Sequence, residues 1–312
     1  MMIDVSNLTK LYGSTRAVDG ISFQIDKGEV VGFLGPNGAG KSTTMKVLTC
    51  FIAPDGGTVK VAGHDVVDDS IGVRRSLGYL PENTPLYEEM GVVEFLRFVA
   101  GVRGVPSSKR KERLDHVIRS CGLAGVVAKT IGQLSRGYRQ RVGLAQALIH
   151  DPDILILDEP TSALDPAQIV EIRDLIREIG KTKTVLLSTH IMQEVAATCS
   201  RAIIISRGKI VASGTPEELT GQRKGERRVR AEFRAEPKEV EAAARALPGA
   251  LGAEAVAGNK GSAVLTATFK DGGGDPAEAL YRLARDKDWA LRELREDRAT
   301  LEEVFIRVTK QL

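Results

Sequence analysis

Apolar residues recur at alternate positions near the start of the chain: Ile3 and Val5, then Leu8, and again Ile21, Phe23 and Ile25 before a Lys27-Gly28 turn. That period predicts half-buried strands. Residues 30–34, VVGFL, are apolar without a break and lead into glycines, the pattern of a strand buried on both faces. A helix is expected from residue 41 to about residue 51, and a strand over 58–62 with Gly56-Gly57 as the turn before it. Residues 91–148 read as helical in three segments, 92–99, 107–121 and 137–149. A second buried strand follows at 153–157, then an amphipathic helix over 166–180 opened by Pro166, a favoured first-turn residue. Strands are expected at 185–188 and 202–206. Strand and helix alternating around buried apolar strands imply an α/β domain with a largely parallel sheet.

Near residue 222 the pattern changes. Residues 222–228, QRKGERR, are polar and charged and read as a linker. Beyond it come a strand at 229–234, a helix at 237–247, a strand at 263–270 and a glycine-rich turn at 271–274. A helix at 275–285, a strand at 289–295 and a helix at 301–310 complete the chain. This is the pattern of a small α+β domain of split-βαβ type. The expected division is therefore 1–222 and 223–312.

Composition narrows the partners. Of 312 residues, 42% are hydrophobic, enough for a sizeable core. The 44 basic and 41 acidic side chains leave a net charge of +3, which argues against a dedicated nucleic-acid surface. Cys50, Cys121 and Cys199 are far apart, with no metal-ligand spacing, and read as reduced thiols. The first residues lack a basic-then-apolar signal pattern, and no apolar run approaches the roughly 18 residues needed to span a bilayer. Any action on a membrane is expected to come through docking onto something else.

Three segments carry chemistry. Gly35-Pro36-Asn37-Gly38-Ala39-Gly40-Lys41-Ser42-Thr43 fits the phosphate-binding loop G-x-x-x-x-G-K-[ST], with a buried strand before it and a helix after it. Its glycines let backbone N–H groups curl around phosphate oxygens, and the helix N-terminus adds its positive dipole end. Lys41 is placed to reach the β- and γ-phosphates, and Ser42 to offer its hydroxyl to Mg²⁺. The apolar strand Ile154-Leu155-Ile156-Leu157 ends in Asp158-Glu159. Asp158 suits a Mg²⁺ held through water, and Glu159 suits a general base on the attacking water. His190 follows another strand end, where ligands bind in open α/β sheets, and is placed to sense the γ-phosphate.

In this order the motifs resemble the ABC-family ATPases, over residues 1–220. Leu134-Ser135-Arg136-Gly137-Tyr138 resembles the family signature LSGGQ, Ser162-Ala163-Leu164-Asp165 its D-loop, and Ser188-Thr189-His190 its switch-histidine loop. Tyr12 stands where the family stacks an aromatic ring on adenine. The resemblance implies a P-loop ABC ATPase domain with a helical subdomain, binding ATP and Mg²⁺. It further implies two subunits, a homodimer or a heterodimer with a paralogous ATPase, enclosing two ATP molecules head to tail. Lys41, Ser42, Asp158, Glu159 and His190 of one chain would then meet Ser135 and Gly137 of the other, and Asp165 of the D-loop would join the nucleotide-binding residues. Such a pair would sit at the cytoplasmic face of the membrane against an integral permease.

The chain departs from the family pattern in two places. Arg136 and Tyr138 replace the commoner glycine and glutamine, and Glu82, in Gly78-Tyr79-Leu80-Pro81-Glu82, replaces a glutamine that contacts Mg²⁺. A carboxylate can also ligate Mg²⁺. The amphipathic stretch 86–98 after it corresponds to the groove that accepts the permease. The ending 299–309, ATLEEVFIRVT, is similar to exporter ATPases encoded apart from their permease, of gliding-motility, sodium-export and drug-export types. LPENTPLYEEM and LSRGYRQR together look most like the gliding-motility type. Soluble family members are the rivals. Translation factors carry two phosphate loops, chromosome and repair ATPases insert long coiled coils between loop and signature, and iron–sulfur assembly ATPases lack this ending.

Overall fold

The computed structural model describes residues 1–162, 164–220, 226–259, 261–270, 274–296 and Phe305. The chain divides into two compact units, one over Met1–Pro216 and one beginning at Glu217.

In the first unit, β1 (Ile3–Tyr12) and β2 (Thr15–Ile25) pair antiparallel, followed by β3 (Val30–Leu34), α1 (Lys41–Leu48), β4 (Gly56–Val61) and β5 (His64–Asp65). Next come α2 (Ser70–Ser76), β6 (Leu77–Leu80), α3 (Val92–Val102), α4 (Ser107–Ser120), α5 (Arg136–Leu148) and β7 (Ile154–Asp158). The unit closes with α6 (Pro166–Gly180), β8 (Thr184–Thr189), α7 (Met192–Thr198), β9 (Arg201–Ser206), β10 (Lys209–Gly214) and the short α8 (Pro216–Leu219) at its border. Two sheets result. One is four-stranded in the order β2-β1-β4-β5, and the other six-stranded in the order β10-β9-β3-β8-β7-β6. In the larger, β9, β3, β8, β7 and β6 run parallel and β10 is an antiparallel edge.

The alternating residues of β1 and β2 face the same core as the buried strands. Ile3, Val5, Ile21 and Phe23 pack with Val31, Phe33, Met45 and Ile156, and the rings of Phe23 and Phe33 lie 5.5 Å apart. The register sets Leu34 beside Thr189 and Asp158 beside Ser188. The ends of β3, β7 and β8 therefore share one edge, which is where an open parallel sheet binds ligands.

Several local expectations change. Gly56 and Gly57 lie in β4 rather than in a turn. A Cβ on Gly57 would stand 2.4 Å from the carbonyl oxygens of Ser6 and Asn7, so the glycine answers to close approach of β1. The first helix ends at Leu48, with Cys50 at φ 57°. Of the amphipathic stretch 86–98, only residues from Val92 are helical. The linker expected over 222–228 ends early, because Glu226–Arg234 is a strand, while residues 222–225 lie outside the described residues. All three cysteines are free, and burial pushes the Cys121 and Cys199 thiols up to about 12. Among the described residues no helix is long and apolar enough to cross a membrane.

The second unit contains β11 (Glu226–Arg234), α9 (Pro237–Arg245), β12 (Ala250–Ala257), β13 (Ala263–Lys270), α10 (Pro276–Asp286) and β14 (Ala290–Glu296). Its antiparallel sheet has the order β12-β13-β11-β14, the split-βαβ arrangement. Large and small residues alternate across the two central strands, with Ala231 opposite Leu265 and Phe233 opposite Ala263. Val240, Ala244, Leu280 and Ala284 of the helices cover that face. The helix expected at 301–310 and the exporter-like ending lie outside the described residues, apart from Phe305.

His150, just past α5, sets a pH limit on stability. Its Nε2 lies 3.0 Å from the Leu77 carbonyl, and its Nδ1 is buried without a hydrogen-bond partner. Burial first, then the Arg103 guanidinium, push its pKa down to about 4. The folded value lies below the unfolded one, so the folded state favours the neutral ring. The stabilisation is complete above the unfolded pKa of roughly 6.5 and is lost as pH falls toward about 4. Between pH 7 and pH 4.5 the loss from this group should reach at most about 3 kcal/mol. Urea unfolding of wild type and His150→Gln at both pH values checks this. An equal loss in the two proteins would clear His150.

Candidate active site

The phosphate-type loop leaves β3 and enters α1 through two left-handed glycines, Gly38 at φ 76° and Gly40 at φ 107°. A Cβ on Gly40 would stand 2.5 Å from the Ala17 carbonyl oxygen, so side chains are excluded by space as well as by conformation. Lys41 is folded back over this loop. Its Nζ donates to the carbonyls of Gly35 at 2.8 Å and Pro36 at 3.3 Å, and lies 3.2 Å from Glu159 Oε1. Both side chains are nearly buried, at 6% and 8% exposure. The buried Ala39 tightens the turn by donating its N–H to the Pro36 carbonyl.

Asp158 and Glu159 diverge at the end of β7. Asp158 accepts from Ser42 Oγ at 3.2 Å and from Ser188 Oγ at 2.5 Å. Burial raises its pKa, the adjoining Glu159 charge adds to the rise, and the two hydroxyls and Lys41 oppose it. Glu159 has φ 49°, which turns its carboxylate away from the strand line toward Lys41 and toward His190, whose Nδ1 is 2.9 Å from Oε2. A carboxylate only accepts, so Nδ1 of His190 carries the proton in this contact.

Lys41, Ser42, Glu159 and His190 border a cavity of about 480 Å³, while Asp158 is not among its lining residues. Asn37, Gly38, Gly40, Lys41, Ser42 and Thr43 enter from the loop and α1, and Tyr12, half exposed, from the end of β1. Glu82 reaches it from the segment after β6, and Glu159 and His190 from the ends of β7 and β8. Ser162, the first residue of the D-loop-like segment, also lines it, as does Ala17, which carries no sequence signal. Ser188, which bonds both to Asp158 and to the Glu159 N–H, is a further addition. Its signal was its place before Thr189-His190, but its role depends on the register that sets it beside Asp158. Burial raises the pKa of the Tyr79 phenol, helped by the Asp158 and Glu82 charges.

Ser135, Gly137 and Asp165 do not line this cavity. Ser135 is exposed and caps α5, accepting from the Tyr138 N–H at 3.4 Å. Gly137 is buried, and a Cβ there would stand 2.7 Å from the Gln168 side chain. Asp165 caps α6, accepting from the Gln168 N–H at 2.9 Å.

A buried carboxylate sharing a hydrogen bond with a helix-start hydroxyl is a hard-oxygen donor set. The raised pKa of Asp158 marks a charge that its neighbours do not fully offset. Both features fit a divalent cation. The N–H-lined loop with Lys41 fits polyphosphate oxygens, and the exposed Tyr12 ring at the rim fits a flat heterocycle.

Comparison with known proteins agrees with that chemistry. Residues 18–162 match the family model described as ABC transporter. An ABC transporter ATP-binding protein of Bacillus subtilis, YxlF, is 40% identical over 221 residues, covering 71% of this chain and 73% of the relative. A daunorubicin resistance ATP-binding protein of Streptomyces coeruleorubidus, DrrA3, is 37% identical over 226 residues, covering 72% of each chain. Among solved structures, a dimeric post-hydrolysis state of an ATP-binding cassette bound to ADP and Pi matches with a TM-score of 0.63. It is 26% identical and covers 69% of this chain and 98% of its own.

Proposed function

The chain belongs to the family of ABC transporter ATP-binding proteins, and from that membership we propose that it powers export through a separate integral permease, as one of two subunits that close on ATP at the cytoplasmic membrane face. As a member of this family it binds and hydrolyses ATP. The observation that carries the reading is the placement of Glu159, whose carboxylate lies 3.2 Å from Lys41 and 2.9 Å from His190 at the mouth of a phosphate-type loop. In this reading Glu159 is the general base, His190 orients it and meets the γ-phosphate, Lys41 binds the β- and γ-phosphates, and Tyr12 stacks on adenine. Ser42 and Asp158 would hold Mg²⁺, with Glu82 as a further carboxylate that could ligate it. Mg²⁺ held there would supply Lewis-acid neutralisation of the phosphate charge.

The ATP site is completed in trans. Ser135 lies at the exposed start of α5 and Gly137 in its first turn, and neither lines the cavity of its own chain. A helix N-terminus favours a phosphate anion, so a second subunit bringing this end to the γ-phosphate would close the site. The relative with a dimeric structure supports pairing, and the drug-resistance relative supports the drug-export member of the exporter types that the ending resembles. All of these residues lie before Pro216, which supports residues 1–222 as the nucleotide-binding domain and 223–312 as an accessory domain.

Mixing two inactive variants tests the trans arrangement. Lys41→Ala and Ser135→Arg should each be inactive alone. Together they form a mixed pair with one complete site, Lys41 from one chain and Ser135 from the other. ATPase activity should return to about a quarter of the wild-type rate, since half of the random pairs are mixed and each has one of two sites. Activity that never returns on mixing would defeat the shared site.

A further inference from the structure

Glu159 holds a backbone conformation that its own chemistry disfavours. Its φ of 49° lies in the left-handed region, and Pro160 follows directly, which restricts the choices further. Such a conformation persists only where the surroundings hold it. One side is held by β8, where the Glu159 N–H donates to both the backbone and hydroxyl oxygens of Ser188, at 3.2 and 3.0 Å. The loop itself contributes the Ser162 N–H, which donates to the Glu159 carbonyl at 3.0 Å.

The other side is met by a side chain from the signature helix. Gln140 Nε2 donates to the Pro160 carbonyl at 2.9 Å. The opposite end of the same amide, Oε1, accepts from Thr84 Oγ1 at 3.1 Å. Thr84 stands two residues past Glu82. Gly143, one turn further along α5, makes this seat possible, since a Cβ there would be 2.4 Å from Thr84 Cγ2 and 2.8 Å from Leu80 Cδ1. A primary amide donates at one end and accepts at the other without carrying charge, which is what a carbonyl on one flank and a hydroxyl on the other require.

We propose that Gln140 is a positioning residue for hydrolysis: clamped between Thr84 and the Pro160 carbonyl, it holds Glu159 in its working conformation and ties the Glu82 segment to it. The inference rests on the reading of Glu159 as the base. Both ends of the Gln140 amide are taken up by Thr84 and the Pro160 carbonyl, and Gln140 does not line the cavity, so its loss should fall on turnover rather than on ATP binding.

The test is steady-state and single-turnover ATPase kinetics on the full chain, with thermal unfolding as the check on folding. Gln140→Leu removes both hydrogen bonds. Gln140→Glu keeps the size and the acceptor for Thr84, but sets a carboxylate oxygen against the Pro160 carbonyl, and it serves if the leucine variant does not fold. Each should lower kcat by about 10- to 100-fold, with KM for ATP changed by less than about twofold. Because Gln140 acts through Glu159, adding either change to Glu159→Gln should slow that variant by less than about twofold more. Wild-type kcat in both Gln140 variants overturns the proposal. So does a loss carried by KM, or an undiminished loss in the Glu159→Gln background. Wild-type turnover in Glu159→Gln alone is a separate result, which sinks the reading of Glu159 itself.

Discussion

Glu159→Gln should bind ATP at least as well as the wild type and turn it over about 10²- to 10⁴-fold more slowly. Glutamine has nearly the same shape, so the contacts that fix the loop, from Ser188, Ser162 and Gln140, can all remain. What disappears is the ability to take a proton from water. The negative charge 3.2 Å from Lys41 disappears as well. Without nucleotide that charge competes with phosphate for the ammonium, so its removal favours ATP. Binding preserved while hydrolysis fails should leave the closed pair without a route to reopen. Size-exclusion chromatography with MgATP should then show a dimer that the wild type does not accumulate. Turnover near the wild-type rate would remove Glu159 from the role of base.

Elements that bury large apolar side chains in a regular period could be read from the chain. β3 is an unbroken apolar run, β13 alternates Ala263, Leu265, Ala267 and Phe269 inward, and α6 repeats its buried face at Ile172, Ile176 and Ile179. Elements whose burial depends on close approach could not. β12 contains alanines, glycine and a single buried position, Ala253, so nothing in its pattern marks an edge strand. β6 is four residues long and contains Gly78, where a Cβ would stand 2.1 Å from the Ala147 carbonyl oxygen. Its glycine reports a helix packed on the strand, which only the fold reveals.

The site divides along the same line. Lys41, Ser42, Asp158 and Glu159 belong to segments whose residue order already carries the chemistry. Ser188 gains its part from strand register, and Gln140 from joining loops 20 and 56 residues away in sequence. Ser135 and Gly137 belong to a motif that the residue order also marks, and neither lines the cavity of its own chain.

Lys41→Ala should weaken ATP binding by about 10²- to 10⁴-fold, the loss of two charge-assisted hydrogen bonds to phosphate at roughly 1.5–3 kcal/mol each. Equilibrium binding of a fluorescent ATP analogue measures it. The same substitution should also show in the protein without nucleotide. Lys41 and Glu159 form a nearly buried pair, and removing the ammonium leaves the carboxylate with His190 as its remaining side-chain partner. Breaking a buried pair from one side costs about 3–5 kcal/mol where no solvent can enter. Here the cavity opens beside Glu159 and water can reach the vacated space, so the cost should fall to about 1–3 kcal/mol. A neutral residue at position 159 removes the cause of that cost. The double variant Lys41→Ala/Glu159→Gln should therefore be more stable than Lys41→Ala alone, although it carries one more substitution and still cannot bind ATP well. Urea denaturation of the wild type, both single variants and the double variant closes the cycle. If the second substitution leaves the Lys41→Ala protein no more stable, the carboxylate was not strained by losing its partner, and the short Lys41–Glu159 distance carries little energy.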